Sequence, residues 1–444
     1  MSCCLPHSTG AGEAVNGIKD YKNLDVLTQE DASFLIFCPP LADGFLFLKL
    51  YMKTGDARAI WLDYLRSFVT LLVVAHHAAL AYPTFAYFDP THYIYSTAPI
   101  VDDNRWSGLD TFISFNDLFF MPLMFLISGL FVYRGLAKKG IRAYLIDRFI
   151  RLGIPFLIAE VILIPIAYAP TFYQVTQSTD FTTFIKDYSL VQQWPVGPPW
   201  FIWLLVAFDG VAVLIFKWRK SFYIGVGYWL ARLSKRPVYL SAVIYGVVAI
   251  SLIPLSLWVG QYTWVGNWGP FDFQLNRLLF YLVFFLLGSC LGATDWQNYL
   301  FSQNRLFGKD RLVWLVVCLG CFLLFVIISR AGATWVKQGY MTSTEGYFLY
   351  DVVFVASCLA SMGACISFFK QSITRPLTGW NSLSANAYGI YVVHYGFVTW
   401  LQFALLSVNV PAIVKFVIVF LGALSLSWLS SRLLRRSTVV SRVL

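Results

Sequence analysis

Two ionisable residues in one long apolar stretch, Arg66 and His77, are the first pair that could do chemistry together. They lie in the segment from Arg58 to Tyr82, RAIWLDYLRSFVTLLVVAHHAALAY, which is long enough to cross a bilayer as a helix. His77 follows Arg66 by eleven positions, which is roughly 16 Å along a helix and close to three full turns, so both side chains share about one face. Because ionisable groups are costly to desolvate inside a spanning helix, we expect them to pair or to act.

His77 is the candidate catalytic residue of this segment. An imidazole titrates near neutral pH, so it is suited to take a proton from a hydroxyl group and make it a nucleophile. The alternative for His77 is a hydrogen bond to a neighbouring helix. His76 points about 100° away and cannot share the role, so a structural role is the preferred interpretation for it.

The second predicted helix offers hydrogen-bond acceptors at a depth comparable to that of His77. They are Asp110, Asn116 and Asp117. A carboxylate here would hold the imidazole in one tautomer and stabilise its charged form. We therefore take Asp117 as the candidate orienting residue of the catalytic site.

A cluster of arginines marks the start of the third predicted helix. In the sequence DRFIRLGIPF, Arg148 and Arg151 lie one helical turn apart, and Arg66 is expected at a similar depth. Three guanidinium groups suit bidentate binding of phosphates, such as those of a CoA thioester from the cytosol. The alternative is a basic anchor that binds lipid headgroups.

A late apolar segment, LSANAYGIYVVHYGFV, places His394 near the middle of the membrane. Three tyrosines, Tyr388, Tyr391 and Tyr395, are close to it in the sequence. Direct contact with substrate is one interpretation of His394. A hydrogen-bonding residue of the protein core is the other.

The composition requires a membrane protein rather than a soluble one. Hydrophobic residues make up 58% of the 444 residues and charged residues only 13%. We predict an all-α, polytopic fold with about ten transmembrane helices. The predicted spans are 60–82, 112–134, 150–170, 199–216, 238–258, 274–293, 311–331, 346–370, 384–407 and 411–431.

The distribution of basic residues predicts the orientation. Alternate loops are rich in lysine and arginine, whereas the loops between them hold only Arg105, Lys186, Arg330 and Lys337. Basic loops remain in the cytoplasm, so both termini are predicted to be cytoplasmic. The same clustering beside apolar runs explains the net charge of +10 without nucleic acid.

The sequence also predicts three regions along the chain and no metal site at the cysteines. Residues 1–51 form an N-terminal extension of a different character, with Met52 as an alternative start; residues 52–436 form the transmembrane domain and 437–444 a cytoplasmic tail. The C-x-x-C of Cys318 and Cys321 lies within an apolar span with no second pair at zinc-ligand spacing, so no metal site is expected.

Five motifs occur in the order and spacing of a known family. They are the R-x10-H helix that begins LDYLR, MPLMFLISGLFVYRG, RFIRLGIPF, PPWFIWLL and LSANAYGIYVVH. Together they resemble the acyltransferase family 3 membrane proteins over about residues 53–431. The second motif is similar to the branch that modifies periplasmic glucans with succinyl or related groups.

The resemblance implies a reaction and assigns residues to it. An acyl group, acetyl or succinyl, would move from cytosolic acyl-CoA to a hydroxyl of an extracytoplasmic carbohydrate at the bacterial inner membrane, with no cofactor beyond that co-substrate. His77 would be the essential histidine, and Arg66, Arg148, Arg151 and His394 would bind the substrate or donor. Whether His77 acts as a base or carries the acyl group transiently is left open.

Two other functions remain compatible with the sequence. A transporter of a small anion or sugar would use buried ionisable residues along a permeation path, and the candidates are Arg66, Asp117, Arg277, His394 and Lys415. A sensor or assembly scaffold without enzymatic activity is the third. Dependence on acyl-CoA distinguishes the transferase from both.

Among carbohydrate acceptors, we expect the outward loops 83–111 and 171–198 to select the substrate.

Overall fold

The computed structural model describes residues 60–265, 269–302, 310–438 and 440–443. In this part of the chain the structure is almost entirely helical, and the one sheet described is an antiparallel pair of short strands, β1 (Trp264–Val265) and β2 (Phe273–Gln274). The predicted all-α class is therefore confirmed. The predictions for residues 1–51 and Met52 lie outside the described residues.

The α-helices are numbered in chain order. Their bounds are α1 Ile60–Ala79, α2 Ser107–Gly129, α3 Val132–Lys139, α4 Ile141–Arg148, α5 Ile154–Ile158, α6 Ile164–Thr176, α7 Phe181–Lys186, α8 Trp200–Arg219, α9 Ser221–Leu233, α10 Pro237–Val259, α11 Leu278–Gly292, α12 Trp296–Leu300, α13 Arg311–Lys337, α14 Ser343–Ser372, α15 Thr378–Ala404 and α16 Ala412–Leu434.

Eight helical segments of the described chain are long and apolar enough to cross a membrane, as expected of a multi-pass membrane protein. They coincide with eight of the ten predicted spans. The other two predicted spans correspond to α1 and α15, which have 20 and 27 residues and therefore the length for a crossing. Their lower hydropathy has a clear origin, because these two helices carry polar side chains, including His77 and His394.

Helix α1 is packed against α2, α14, α15 and α16. Polar side chains from these neighbours bind its backbone. Gln402 of α15 donates to the carbonyl oxygens of His77 and Ala78 at 3.0 and 3.2 Å, and Asn116 of α2 donates to that of Leu72 at 3.0 Å. These bonds fix the outer half of α1, where the histidines lie.

Helices α4, α5 and α6 form one continuous helical segment, Ile141–Thr176, joined by two π-helical turns, Phe149–Gly153 and Ala159–Leu163. Two of its prolines, Pro155 and Pro170, lack the backbone N–H that would bond to the carbonyl four residues earlier.

The carbonyl groups of Arg151 and Ile166, four residues before these prolines, bond to side chains of α15 instead. The hydroxyl of Tyr388 donates to the carbonyl oxygen of Arg151 at 2.7 Å, and the indole of Trp400 donates to that of Ile166 at 2.9 Å. In a membrane, an unsatisfied carbonyl is costly. The prolines therefore define where α15 packs and in which register.

A buried ion pair joins the outer surface to the last helix. Lys415 of α16 donates to Asp102 at 2.6 Å, and both side chains are buried. Lys415 was a candidate for a permeation path, but here its charge is compensated within the fold.

The two loops predicted to select the acceptor are bonded to each other. Tyr93 donates to Asp187, and the side chain of Gln192 bonds to the backbone of Thr91 and Ile94 at 3.2 and 3.3 Å. Burial, together with the bond to Asp187, raises the pKa of Tyr93 well above its usual value, so the hydroxyl remains a donor.

Candidate active site

His77 and His394 face each other where α1 packs against α15. Nε2 of His394 lies 3.3 Å from Nδ1 of His77, and the ring centroids are 5.1 Å apart. Tyr395 lies edge-on to His77 with its ring centroid 5.3 Å away. His394 is completely buried. The two candidate histidines are therefore one structural unit, although 317 positions separate them in the sequence.

The contacts of the two rings assign their protons. Nδ1 of His77 lies 2.8 Å from the carbonyl oxygen of Val73, and Nδ1 of His394 lies 2.6 Å from that of Tyr391. A carbonyl oxygen only accepts, so each Nδ1 carries a hydrogen. Neutral His394 then presents the lone pair of Nε2 to His77. Neutral His77 keeps its own lone pair on Nε2.

This arrangement suits a base. If Nε2 of His77 takes up a proton, the resulting charge is shared with Nδ1–H, which faces two acceptors, the Val73 carbonyl and Nε2 of His394. The surroundings therefore hold the tautomer that is needed before proton transfer.

His76 has different surroundings from His77. Its ring stacks on Phe120, with centroids 5.1 Å apart and an angle of 28° between the planes. Its charged neighbours are Asp117 and Arg277. Adjacent residues on a helix point about 100° apart, so the two histidines contact different groups, as the sequence predicts.

Asp117 pairs with Arg277 rather than with His77. Two hydrogen bonds of 3.0 and 2.7 Å join the carboxylate to the guanidinium, which is only 5% exposed. The preceding residue, Asn116, faces α1, so Asp117 is turned towards Arg277 instead.

The sequence predicts that Asp117 orients His77, whereas in the structure the contacts that hold His77 come from Val73 and His394. Asp110 is also engaged elsewhere, since it accepts from the backbone N–H of Thr84 at 2.7 Å. A catalytic role for Asp117 stays a prediction.

Each of the three candidate arginines has a carboxylate close by. Nε of Arg148 lies 3.5 Å from Asp209 of α8, a buried carboxylate that also accepts from the Tyr144 hydroxyl. Asp209 and the guanidinium thus form an ion pair, and the guanidinium is 23% exposed.

The other two arginines have local partners. Arg151 lies 3.3 Å from Asp147 and is 58% exposed, and Arg66 lies 3.5 Å from Asp63 and is 42% exposed. A guanidinium has five N–H donors in a planar fork, so the contact with Asp147 leaves Arg151 with donors for phosphate oxygens. No contact described joins Arg66 to Arg148 or Arg151, and their joint action stays a prediction.

An outer aromatic cluster lies next to the histidine pair. Its members are Tyr93, Tyr168, Tyr188, Trp194 and Tyr395. Tyr168 stacks on Tyr93 with ring centroids 5.9 Å apart and also contacts Tyr188 and Tyr395 at 6.1 and 6.4 Å. Since Tyr395 also contacts His77, the cluster connects the outer loops with the catalytic candidate.

Three residues of this region were missed by the sequence interpretation. They are Glu160, Asp209 and Gln402. For the two acidic residues a signal existed, because each interrupts an otherwise apolar predicted span. Gln402 carries no such signal, since a polar amide near a helix end is common.

Comparison with known proteins identifies a family and several relatives of this chain. The acyltransferase 3 family, described as an acyltransferase domain, matches residues 59–432. A protein of Shigella dysenteriae named "Glucans biosynthesis protein C" is 24% identical over 374 residues, which cover 78% of this chain and 87% of that protein. The protein of that name from Salmonella typhimurium is 26% identical over 238 residues, 52% of this chain and 58% of its own length. No solved structure matches the chain.

Proposed function

The chain belongs to acyltransferase family 3, and on this basis we propose that it transfers an acyl group from cytosolic acyl-CoA to a hydroxyl of an extracytoplasmic carbohydrate. That it is a membrane acyltransferase follows from the family and from the apolar helices. The donor, the acceptor and the bacterial inner membrane as its location are parts of the proposal.

The observation that carries the mechanism is the contact between His77 and His394. Nε2 of His77 removes the proton from the acceptor hydroxyl, whose oxygen attacks the thioester carbonyl. The C–S bond breaks, an ester forms, and the proton passes from Nε2 to the leaving thiolate. During these steps the Val73 carbonyl and His394 hold the imidazole in position. His394 is thus a positioning residue.

The donor is held by the arginines at the other end of the site. Arg148, which forms an ion pair with Asp209, and the exposed Arg151 bind the phosphates of CoA, with Arg66 as a third candidate. The pantetheine arm of CoA is long and narrow enough to extend from there towards His77. Cytosolic donor and extracytoplasmic acceptor then meet inside the bundle.

The acceptor is proposed from the similar proteins and from the outer surface. The relatives are named for glucan biosynthesis, and an aromatic cluster beside the catalytic candidate suits the apolar faces of sugar rings. We propose a periplasmic glucan or a surface polysaccharide as acceptor and an acetyl or succinyl group as the substituent.

Mass spectrometry of glycans tests this function. In a strain in which the gene is deleted, we expect periplasmic or surface glycans to lose the mass of an acyl substituent, and the wild-type gene to restore it. The mass difference identifies the group. Unchanged glycans in the deletion strain would contradict the carbohydrate acceptor, and a small anion or sugar accumulating in the cytosol of that strain would favour transport.

Replacing Arg148 with lysine tests the donor site. Lysine keeps the charge but loses the planar fork, so we expect the KM for acyl-CoA to rise about tenfold, the equivalent of about 1.4 kcal/mol. The KM for the acceptor should remain the same. Arg142→Lys, an exposed arginine on the same helix, is the matched control. An equal rise in both KM values for Arg148→Lys would indicate a general disturbance instead.

A further inference from the structure

Glu160 is a carboxylic acid inside the helical bundle, and its side chain is only 2% exposed. Both of its carboxyl oxygens are buried without a hydrogen-bond partner among the described residues. Burying such a group without a partner costs free energy in either protonation state. Ionisable residues kept inside a membrane bundle are commonly functional.

The local backbone sets Glu160 apart as well. It lies in the π-helical turn Ala159–Leu163, within the helical segment Ile141–Thr176 that also carries Arg148 and Arg151. A π-helical turn contains an additional residue and changes the direction of the side chains that follow, and single turns of this kind are frequent at functional sites.

The register between two helices places Glu160 level with the histidine pair. Tyr388 of α15 bonds to Arg151, and Trp400 bonds to Ile166. The two segments therefore run in the same direction. Between these two bonds, α15 also contacts the π-helical turn Ala159–Leu163 that carries Glu160.

The tyrosines near Glu160 use their hydroxyls elsewhere. Tyr188 and Tyr391 are close enough to Glu160 to interact with it electrostatically. Yet Tyr391 donates to the carbonyl oxygen of Pro198, and Tyr188 donates to that of Pro195 at 3.4 Å. Each phenol has one hydrogen to donate, so Glu160 retains its capacity to accept.

A second unpartnered group lies in the same neighbourhood. The indole nitrogen of Trp194 is buried without a hydrogen-bond partner among the described residues, and its ring contacts Tyr188 with centroids 6.0 Å apart. The region thus offers two acceptor oxygens, one N–H donor and aromatic faces. A hydroxyl group both donates and accepts, which fits this combination better than a cation, which would use only the acceptors.

We propose that Glu160 and Trp194 form a subsite for the hydroxyl groups of the acceptor carbohydrate, beside His77. Glu160 accepts from one hydroxyl and Trp194 donates to another, while the rings of the outer aromatic cluster contact the apolar face of the sugar. This inference rests on the proposed carbohydrate function and adds to it the residues that bind the acceptor.

Steady-state kinetics of the purified full chain in lipid nanodiscs test the subsite. Acetyl-CoA and succinyl-CoA serve as donors, linear gluco-oligosaccharides as acceptors, and released CoA thiol as the readout. Glutamine replaces one of the two carboxyl oxygens with an NH2 group, which only donates, so for Glu160→Gln we expect the acceptor KM to rise about tenfold. The donor KM should be unchanged. Trp194→Phe, which keeps a ring but removes the N–H, should change the same KM in the same direction.

Two further variants distinguish binding from a structural role. Glu160→Leu removes the unpartnered carboxyl group, so its unfolding temperature should equal or exceed that of the wild type while acceptor use is lost. Asp351→Asn is the control, because in this buried carboxylate one oxygen, Oδ1, accepts from Gln261 at 3.2 Å; its acceptor KM should match that of the wild type.

Results that contradict these expectations distinguish a failure of the subsite from a failure of the proposed carbohydrate function. A Glu160→Gln variant with the acceptor KM of the wild type overturns the subsite and leaves the proposed function standing. So does a Glu160→Leu variant that unfolds at a lower temperature and loses donor and acceptor use together. A wild-type protein that transfers neither acyl group to any oligosaccharide overturns the carbohydrate function and the subsite with it.

Discussion

Replacing His77 with alanine is expected to lower kcat for acyl transfer about 10²- to 10⁴-fold, the usual contribution of a positioned general base. The physical reason is the tautomer held by Val73 and His394, which leaves Nε2 of His77 as the free base. The rate of acyl transfer from acyl-CoA to a glycan, measured with purified protein, checks this expectation.

His76→Ala is the matched control for this experiment. It removes an imidazole from the adjacent position of the same helix, but one that stacks on Phe120 and faces Asp117. We expect it to retain transfer to a large extent. A His77→Ala protein with wild-type kcat would contradict the mechanism, and so would a His76→Ala protein that alone is inactive.

The same proteins decide between the two roles left open for His77. After incubation with labelled acyl-CoA and no acceptor, an acyl adduct on His77 would show that the residue carries the group covalently. Direct attack by the acceptor predicts unlabelled protein. In both routes His77→Ala is inactive, so the adduct and not the rate makes the distinction.

Breaking the pair between Asp117 and Arg277 is expected to have the largest effect on stability. Removing one partner leaves an uncompensated charge in the bundle, which costs about 3–5 kcal/mol of unfolding free energy. We expect this loss for Asp117→Asn, which leaves the buried Arg277 unpaired. We expect a smaller loss for Arg277→Met, because the Asp117 side chain is 32% exposed, and for the double variant, in which no buried charge is left unpaired. Denaturant titration in detergent measures it.

An exposed ion pair provides the control. Lys139 and Asp147 are 2.9 Å apart, with side chains 42% and 28% exposed, and such surface pairs contribute about 0–1 kcal/mol. Lys139→Met should therefore change the unfolding free energy little. If Lys139→Met lowers the unfolding free energy as much as Asp117→Asn does, the argument from burial is contradicted.

The double variant also tests the predicted catalytic role of Asp117. If the residue serves only to compensate Arg277, transfer activity should return together with stability in Asp117→Asn/Arg277→Met. If Asp117 takes part in catalysis, the double variant should fold and remain inactive. Activity and unfolding measured on one preparation separate these outcomes.

Much of the fold could be predicted because it depends on local properties of the chain. An apolar run of about 20 residues is long enough to cross the hydrocarbon region, and eight of the ten predicted spans appear as long apolar helices. The two others, α1 and α15, are also helices. The divergence of His76 and His77 likewise follows from helix periodicity alone.

The partners of the site residues could not be predicted in the same way. His394 lies 317 positions from His77, and Arg277 lies 160 positions from Asp117. A periodicity argument establishes which face of a helix a residue occupies, but not which helix packs against that face. The sequence therefore indicated a carboxylate for His77, where the fold supplies a second histidine.

By itself, the sequence determined that this protein is an all-α membrane acyltransferase with Arg66 and His77 on one face of its first helix. Helix geometry and the motifs suffice for that, since both are properties of residues near each other in the chain. Only the packed helices show that His394 contacts His77, that Asp117 compensates Arg277 and that Glu160 has no hydrogen-bond partner among the described residues. Hydrogen bonds and charge compensation depend on distances of about 3 Å, which exist only once the helices have packed.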